Sequence, residues 1–438
     1  MNKDSLEEVE RILADPEEME RMYKRVNRSA NYGLKDPLKS VSIYIIPSIK
    51  ELELYEADRG AAELVRFHPL FAEKVFGDLE DIFGYKNLEI DILFAPGQIE
   101  FGVVTKLEAF DDDTPDIEPK AIEENLTELF KLVGYSTVPG KEHLRQVLSK
   151  KGGDLSQFLT KSYVKSGESE IFSLLDEKTT EADRLSDRKS LVLRSQLFSP
   201  MFIEEGLVID LKHSRWHILF FFERGQFAGF ATLFAFQTSL EIYKLRISQV
   251  VILPPFQGKG LCSLLLDQVY SHYLKDPKCA VISVESPTLY FQNQRFRSLL
   301  RRCHSEEFDP IRQILSSPKS SFSETKSEVS ASLAKALKLS REVSNRFSAI
   351  FCFFYASNDG KKSQFEKNYR EDLKTQQDKQ AKQKKNAFRR KFISFEGQPI
   401  LRSQIKQILE EFNEEPVDID SVLKDELERM TVLCEKVK

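Results

Sequence analysis

The segment RISQVVILPPFQGKGLCSLLLDQVY, from Arg246 to Tyr270, constrains the fold more than any other part of the chain. It opens as a β-branched run and stops at Pro254-Pro255, which can neither donate to a sheet ladder nor continue a helix interior. A turn containing Gly258 and Gly260 follows. Apolar residues then recur at Leu261, Leu264, Leu265, Val269 and Tyr273, the period of a helix with one buried face. Glycines at a strand-to-helix turn let the backbone approach a ligand, and the helix N-terminus offers unpaired N–H groups at the positive end of its dipole. That arrangement suits a pyrophosphate. Two familiar phosphate loops are excluded. Gly258-Lys259 is followed by Gly260 rather than Ser or Thr, with no earlier glycine at the Walker A spacing, and the third position of a G-x-G-x-x-G fingerprint is Ser263. On the pattern alone, a turn that only starts a helix is the simpler reading, and the surroundings decide.

Around this segment, strands are predicted at His217–Phe222, Ala228–Phe236, Leu245–Leu253 and Cys279–Glu285, with helices at Leu261–Tyr273 and Phe291–Cys303. This is an α/β or α+β unit. Upstream, strand-like stretches run from Val41 to Ile46, Leu88 to Phe94 and, after Pro96-Gly97, Ile99 to Leu107. An acidic loop at Asp111-Asp112-Asp113 leads to helical patterns at Ala121–Leu132 and Glu142–Leu148. Residues 1–40 read as a charged helical segment through Leu6, Val9, Ile12 and Leu13. Residues 151–195, rich in Lys, Ser and Glu, read as a polar insertion or linker that cannot offset its ordering entropy by burial. The serine-rich run at 311–332 reads as a surface loop, and 333–438 as helices.

Charge and cysteine usage remove several classes. The 64 basic and 69 acidic residues leave a net charge of −5, which disfavours a non-specific nucleic-acid binder. Cys262, Cys279, Cys303, Cys352 and Cys434 form no C-x-x-C pair, which argues against a zinc site or a disulfide framework. No apolar run approaches the length of a membrane span, and MNKDSLEEVERIL carries no signal-peptide core, so a soluble intracellular protein is expected.

The turn Gln257-Gly258-Lys259-Gly260-Leu261-Cys262 resembles motif A of the GNAT superfamily of N-acetyltransferases, [QR]-x-x-G-x-[GA], with Cys262 in place of the last Gly or Ala. The surrounding SQ-x-x-ILPPFQG, the FIE at Phe202–Glu204, the RWH at Arg215–His217 and the VESP at Val284–Pro287 look like the catalytic-subunit family of type B histone acetyltransferases. RFHPLFAEKVFGDLEDIFGYKNLEI, from Arg66 to Ile90, is similar to the signature of that family's N-terminal domain. The resemblance implies a GNAT acyl-CoA N-acyltransferase fold at 196–310, an N-terminal α/β domain at 41–150 and a C-terminal helical extension.

It also implies roles. Val250, Val251 and Ile252 would offer main-chain groups to the pantetheine arm of acetyl-CoA, and Gln257, Gly258, Lys259, Gly260, Leu261, Cys262 and Ser263 would cradle its pyrophosphate. Lys259 stands where the family has Gln, as a phosphate contact or as a solvated lysine. Glu285 matches the general base and Glu204 an assisting carboxylate, with Ser286 in place of a second acid. Burial is expected at Glu285. Asp78, Glu80 and Trp216 match positions that meet the histone tail, and Phe234 and Phe236 align with tyrosine-rich positions. His68 and His217 are expected to pack rather than react. No metal is implied.

The implied acceptor is the N-terminal tail of newly made histone four, with histone three as its dimer partner. A WD-repeat histone-chaperone subunit, no membrane, no direct nucleic-acid contact, and a nuclear and cytoplasmic location complete the expectation. The basic run Lys379–Lys391 reads equally as a nuclear-localisation patch or a solvated helix face. Two rivals stand beside this reading: an acetyltransferase with a non-histone acceptor, motivated by Phe234, Phe236 and Lys259, and a catalytically weak histone-binding module, motivated by Cys262 and Ser286.

Overall fold

The computed structural model describes residues 34–110, 115–150, 155, 162–175, 187–211, 213–316, 321–393, 419–435 and 437. The acidic loop at Asp111–Asp113 and most of the segment 1–40 lie outside the described residues. The chain divides into two compact units, Met1–Phe236 with Arg246–Leu264, and Gln237–Leu245 with Leu265–Lys438.

The first unit opens with a four-stranded sheet in the order β2-β1-β3-β4, comprising β1 Val41–Ile45, β2 Val65–Phe67, β3 Tyr85–Ala95 and β4 Glu100–Ala109. β1 runs parallel to β3, and β3 turns back into β4 around Pro96-Gly97. Ile43, Ile90, Ile92 and Leu93 are fully buried, which is why the β-branched stretches become central strands. The helix Pro119–Leu132 starts on a proline that needs no N–H partner, and buries Ile122, Leu126, Leu129 and Phe130 at helical spacing. Phe94 ties this sheet to later parts of the same unit. Its ring centroid lies 5.0 Å from Phe101, 5.0 Å from Phe198 and 6.0 Å from Phe227.

A six-stranded sheet has the order β10-β9-β8-β7-β6-β5, with β5 Ser162–Ser166, β6 Ser169–Leu175, β7 Trp216–Glu223, β8 Gln226–Gln237, β9 Tyr243–Ile252 and β10 Cys279–Val284. Its β5–β6 hairpin corrects the linker reading of residues 151–195. β6 pairs antiparallel with β7, opposing Ile171 to Phe221 and Phe172 to Phe220, and Ile171 is fully buried. The hairpin is short and lies in a stretch dominated by Lys, Ser and Glu, so composition conceals it, and Phe172 meets Phe222 edge-on at 5.5 Å. The helix Asp187–Ser195 closes the segment. In the first unit, β8 carries a bulge opposite Phe221/Phe222, and the adjoining Gly229 has φ +150°. A Cβ there would stand 2.9 Å from the Val251 carbonyl carbon and closer still to its oxygen, so only glycine lets β9 lie this near. Leu253 N–H donates to the Ala228 carbonyl at 2.9 Å beside it.

The second unit contains the start of β9, β10 and the helices Leu289–Arg302, Asp309–Ser316, Phe322–Ala336, Arg341–Asn358, Lys362–Ile393 and Ile419–Glu435. The helix Phe322–Ala336 corrects the surface-loop reading of 311–332. Ser321 caps it by accepting from Glu324 N–H, a capping-box spacing, and the helix buries Thr325, Val329, Ser330 and Leu333. Half of that buried face is hydroxyl-bearing, which hides its period. Ser330 finds Ser344 at 3.0 Å and the Asn345 side chain at 2.7 Å on the next helix. The helix Lys362–Ile393 runs through the basic stretch, whose side chains beyond Lys379 lie outside the described residues.

Candidate functional site

In the first unit, β9 delivers the chain to the glycine turn. Val251 is buried while Val250 and Ile252 are partly exposed. The single 3-10 turn Pro254–Phe256 lifts the chain off the sheet, anchored by buried Phe256. Gln257 Nε2 then donates back to the Ile252 carbonyl at 2.8 Å, fixing the turn to the strand it left. Gly258 and Gly260 have φ of +77° and +86°, and no heavy atom lies within 4 Å of where either Cβ would be. The first bond of the helix Leu261–Tyr273 runs from Leu264 N–H to the Gly260 carbonyl at 2.9 Å. The N–H groups of Leu261, Cys262 and Ser263 therefore sit in the first turn, where no helical acceptor precedes them. Lys259 is exposed, and its Nζ lies 5.6 Å from the Phe256 ring centroid. Open backbone at two left-handed glycines, a helix N-terminus and an adjoining ammonium fit a pyrophosphate.

The Glu204 turn is built in the same unit. A short helix, Ser199–Phe202, ends in Ile203 N–H→Ser199 O and Gly206 N–H→Ile203 O, both 2.9 Å. Glu205 takes φ +53°, and a Cβ on Gly206 would fall 2.8 Å from the Ile203 carbonyl oxygen and against the Ser199 carbonyl. Glu204 and Glu205 are exposed on this turn. The N-terminal signature supports it: Leu70 N–H and Phe71 N–H both reach the Met201 carbonyl, at 2.8 and 3.1 Å, and Phe67 packs on Phe202 at 6.0 Å. His68 Nδ1 lies 2.7 Å from the Val41 carbonyl and His217 is buried, so both act in packing and hydrogen bonding.

The structure brings three of the five expected tail residues together. Trp216 on β7 opposes Phe234 on β8 with ring centroids 4.7 Å apart, and Phe234 meets Phe236 at 4.6 Å. The row ends in a residue the sequence reading overlooks, Arg246, whose guanidinium stands 4.4 Å from the Phe236 centroid. Asp78 and Glu80 are exposed on the segment that leaves the single-turn helix Glu73–Phe76 through Gly77 at φ +71°. Gln249 is the other overlooked residue. Its side chain bonds to Ser199, Thr232 and the Leu207 carbonyl.

Glu285 belongs to the second unit, where it directly follows β10. It is exposed, not buried as the sequence reading expects, because the strand ends one residue earlier and Ser286 turns the chain at φ +35°. The strand behind it is firmly held. Ile282 N–H donates to the Lys338 carbonyl at 2.8 Å, Ser283 Oγ to the Leu245 carbonyl at 3.2 Å, and fully buried Arg295 to the Ile282 carbonyl at 2.9 Å. Arg295 also donates to Tyr270 Oη at 2.8 Å. Among the described residues, no group of three His, Cys, Asp or Glu side chains could hold a metal ion, and no helix is long and apolar enough to cross a membrane.

Comparison with known proteins agrees with this geometry. Residues 38–204 match the family described as histone acetyl transferase HAT1 N-terminus, and residues 183–303 match the acetyltransferase (GNAT) family. Curated relatives named histone acetyltransferase type B catalytic subunit include one from Yarrowia lipolytica, 28% identical over 290 residues, covering 60% of this chain and 62% of that protein. The one from Neurospora crassa is 27% identical, covering 55% and 54%, and the one from Pyricularia oryzae is 29% identical, covering 57% and 60%. The chain thus spans less than two thirds of the length of each of these relatives. The chain thus carries, in this order over residues 38–303, a match to the HAT1 N-terminal family and a GNAT-family domain, and it is similar to the type B histone acetyltransferase catalytic subunits.

Proposed function

We propose that this chain is an acetyl-CoA-dependent lysine acetyltransferase whose acceptor is the N-terminal tail of newly made histone four, modified before the histone enters chromatin. The observation that carries the activity is the open glycine turn at the end of β9, in a chain whose relatives are named for that reaction. The backbone of Gly258 and Gly260, the first-turn amides of Leu261, Cys262 and Ser263, and the Lys259 ammonium would hold the pyrophosphate of acetyl-CoA, with Gln257 bracing the turn. The main chain of Val250, Val251 and Ile252 would hold its pantetheine arm.

The acceptor lysine is the chemical difficulty. With a pKa near 10.4, about 0.04% of a free lysine is neutral at pH 7. Glu285 takes the proton, directly or through one water, and Glu204 assists. The neutral amine then attacks the thioester carbonyl, the acetyl group moves to nitrogen and coenzyme A leaves as its thiol. Glu285 is exposed in the free chain, open to an incoming amine or a bridging water. Asp78 and Glu80 pair with basic residues of the tail, and Trp216, Phe234 and Phe236 pack against its apolar parts. A histone three–histone four dimer, a WD-repeat chaperone subunit bound through the N-terminal region, and residence in nucleus and cytoplasm belong to the same reading.

One observation favours a non-histone acceptor. Phe234 and Phe236 have no hydroxyl to offer a peptide, and Arg246 already covers the Phe236 face with positive charge. Acetyl transfer from labelled acetyl-CoA tests both readings, with a histone-four tail peptide set against an unrelated basic peptide. The tail is expected to be the better acceptor, and Glu285→Gln is expected to lose about 100- to 10,000-fold in rate. Equal transfer to both peptides would move the acceptor. Undiminished transfer by the variant would move the base, and tight tail binding without transfer would leave a binding module.

A further inference from the structure

Gln249 occupies a place in β9 where the sheet's alternation calls for an apolar side chain. It shares a face with Ile247 and Val251, which are 1% and 2% exposed. An amide placed there must find hydrogen-bond partners, and it finds them on two separate pieces of chain. Its Oε1 accepts from Ser199 Oγ at 3.3 Å and from Thr232 Oγ1 at 3.4 Å, and Thr232 Oγ1 in turn accepts from Gln249 N–H at 3.1 Å. Its Nε2 donates to the Leu207 carbonyl at 2.7 Å. That carbonyl fixes the amide's orientation, since the flipped group would set two oxygens against each other. Ser199 and Thr232 are fully buried, so the Oε1 bonds form at the inner end of the amide, while the bond to Leu207 lies at the surface.

Ser199 and Leu207 are the two ends of the segment that carries Glu204. Between them the chain is closed on itself by the Ile203 and Gly206 amide bonds and by the close approach of Gly206 to the Ser199 carbonyl. One side chain therefore ties both ends of that turn to β9, at the residue immediately before Val250–Ile252. We infer that Gln249 is a positioning residue, which sets the Glu204 carboxylate relative to the main chain proposed to hold acetyl-CoA. The inference rests on the acetyltransferase reading above.

The test uses the full chain, acetyl-CoA and a lysine-containing basic peptide. Gln249→Met keeps the length of the side chain and removes its hydrogen bonds. It is expected to lower kcat about tenfold or more, since misplacing a reacting group by about 1 Å can cost about 100-fold, while KM for acetyl-CoA stays within about twofold. Gln249→Glu keeps acceptors for Ser199 and Thr232 but sets a carboxylate against the Leu207 carbonyl, and is expected to move kcat in the same direction. In a Glu204→Gln background, Gln249→Met is expected to cost less than about twofold more, because the turn no longer carries the group it positions. Equal losses in both backgrounds would overturn the proposal, as would an unchanged kcat in Gln249→Met. Amide hydrogen exchange reads the tie without chemistry. Ile203 and Gly206 are expected to exchange about tenfold faster or more in Gln249→Met, with the helix Pro119–Leu132 unchanged, and unaltered exchange at those two amides would overturn the tie itself. A wild-type chain that transfers no acetyl group to any peptide would instead refute the activity and the positioning role together, and exchange would still decide the tie.

Discussion

Replacing Gly229 by alanine adds one methyl group at a point where β8 closely approaches β9. The new Cβ would stand 2.9 Å from the Val251 carbonyl carbon and 3.0 Å from Ile252 Cα. The Val251 carbonyl oxygen would be closer still, and ordinary contact is about 3.5–4.0 Å between carbons, so β9 must retreat by about 1 Å or more. The neighbouring bond from Leu253 N–H to the Ala228 carbonyl, now 2.9 Å, would stretch beyond useful length. Overpacking costs about 1–3 kcal/mol and the lost bond about 1 kcal/mol, with further strain from a φ of +150° that L-residues rarely adopt. A total of about 3 kcal/mol lowers Tm by about 6–12 °C in a unit of this size. The displaced residues are Val251 and Ile252, proposed above to hold acetyl-CoA, so its affinity should fall as well. Thermal unfolding and calorimetric titration with acetyl-CoA measure the two effects, with Gly97→Ala as the control, since nothing lies within 4 Å of that position and its φ is not positive. A Gly229→Ala chain that melts within a degree of wild type and binds acetyl-CoA as well would refute the close-approach argument.

Gly260→Ala meets no atom but forces an alanine to φ +86°. It should cost about 1–2 kcal/mol in stability and weaken acetyl-CoA binding by more than that strain explains, which paired melting and titration would reveal. Ser321→Ala removes the cap of the helix Phe322–Ala336 and should cost about 1 kcal/mol in urea unfolding, with Ser323→Ala as the neighbouring control. Glu56 is held down to a pKa of about 2, first by its hydrogen bonds to Arg145 and Lys141. A depressed carboxylate stabilises above its unfolded value and loses that contribution as pH falls. Wild type should therefore lose stability relative to Glu56→Gln between about pH 4.5 and 2, and parallel pH profiles would contradict the ion pairing.

Much of the segment around the glycine turn is legible in the sequence. The helix Leu261–Tyr273 is found at its expected bounds, and the strands at β3, β4, β7, β8 and β9 shift by only a few residues, because apolar alternation there coincides with burial on a sheet. The failures share a cause. β5–β6 lies within a stretch dominated by Lys, Ser and Glu and pairs with the distant β7, and the helix Phe322–Ala336 buries hydroxyls such as Ser330, so in neither does a regular apolar period stand out. The glycine turn is readable because its glycines and helix are contiguous. The Trp216–Phe234–Phe236 row is reached only through a resemblance, and Arg246 and Gln249 escape the sequence altogether. Gln249 bonds to residues 42 and 50 positions away, and no local pattern encodes a partner at that distance.

The interleaving of the two units also orders the chain's synthesis. Unit one takes Met1–Phe236, then waits through Gln237–Leu245 before receiving Arg246–Leu264. Until β9 leaves the ribosome, β8 has β7 on one side and an open edge on the other, and that edge belongs to a strand buried along Phe227–Leu233. An unpaired apolar strand recruits other strands. A nascent chain halted before Tyr243 would therefore present a sticky edge on β8, and the arrival of β9 is what covers it.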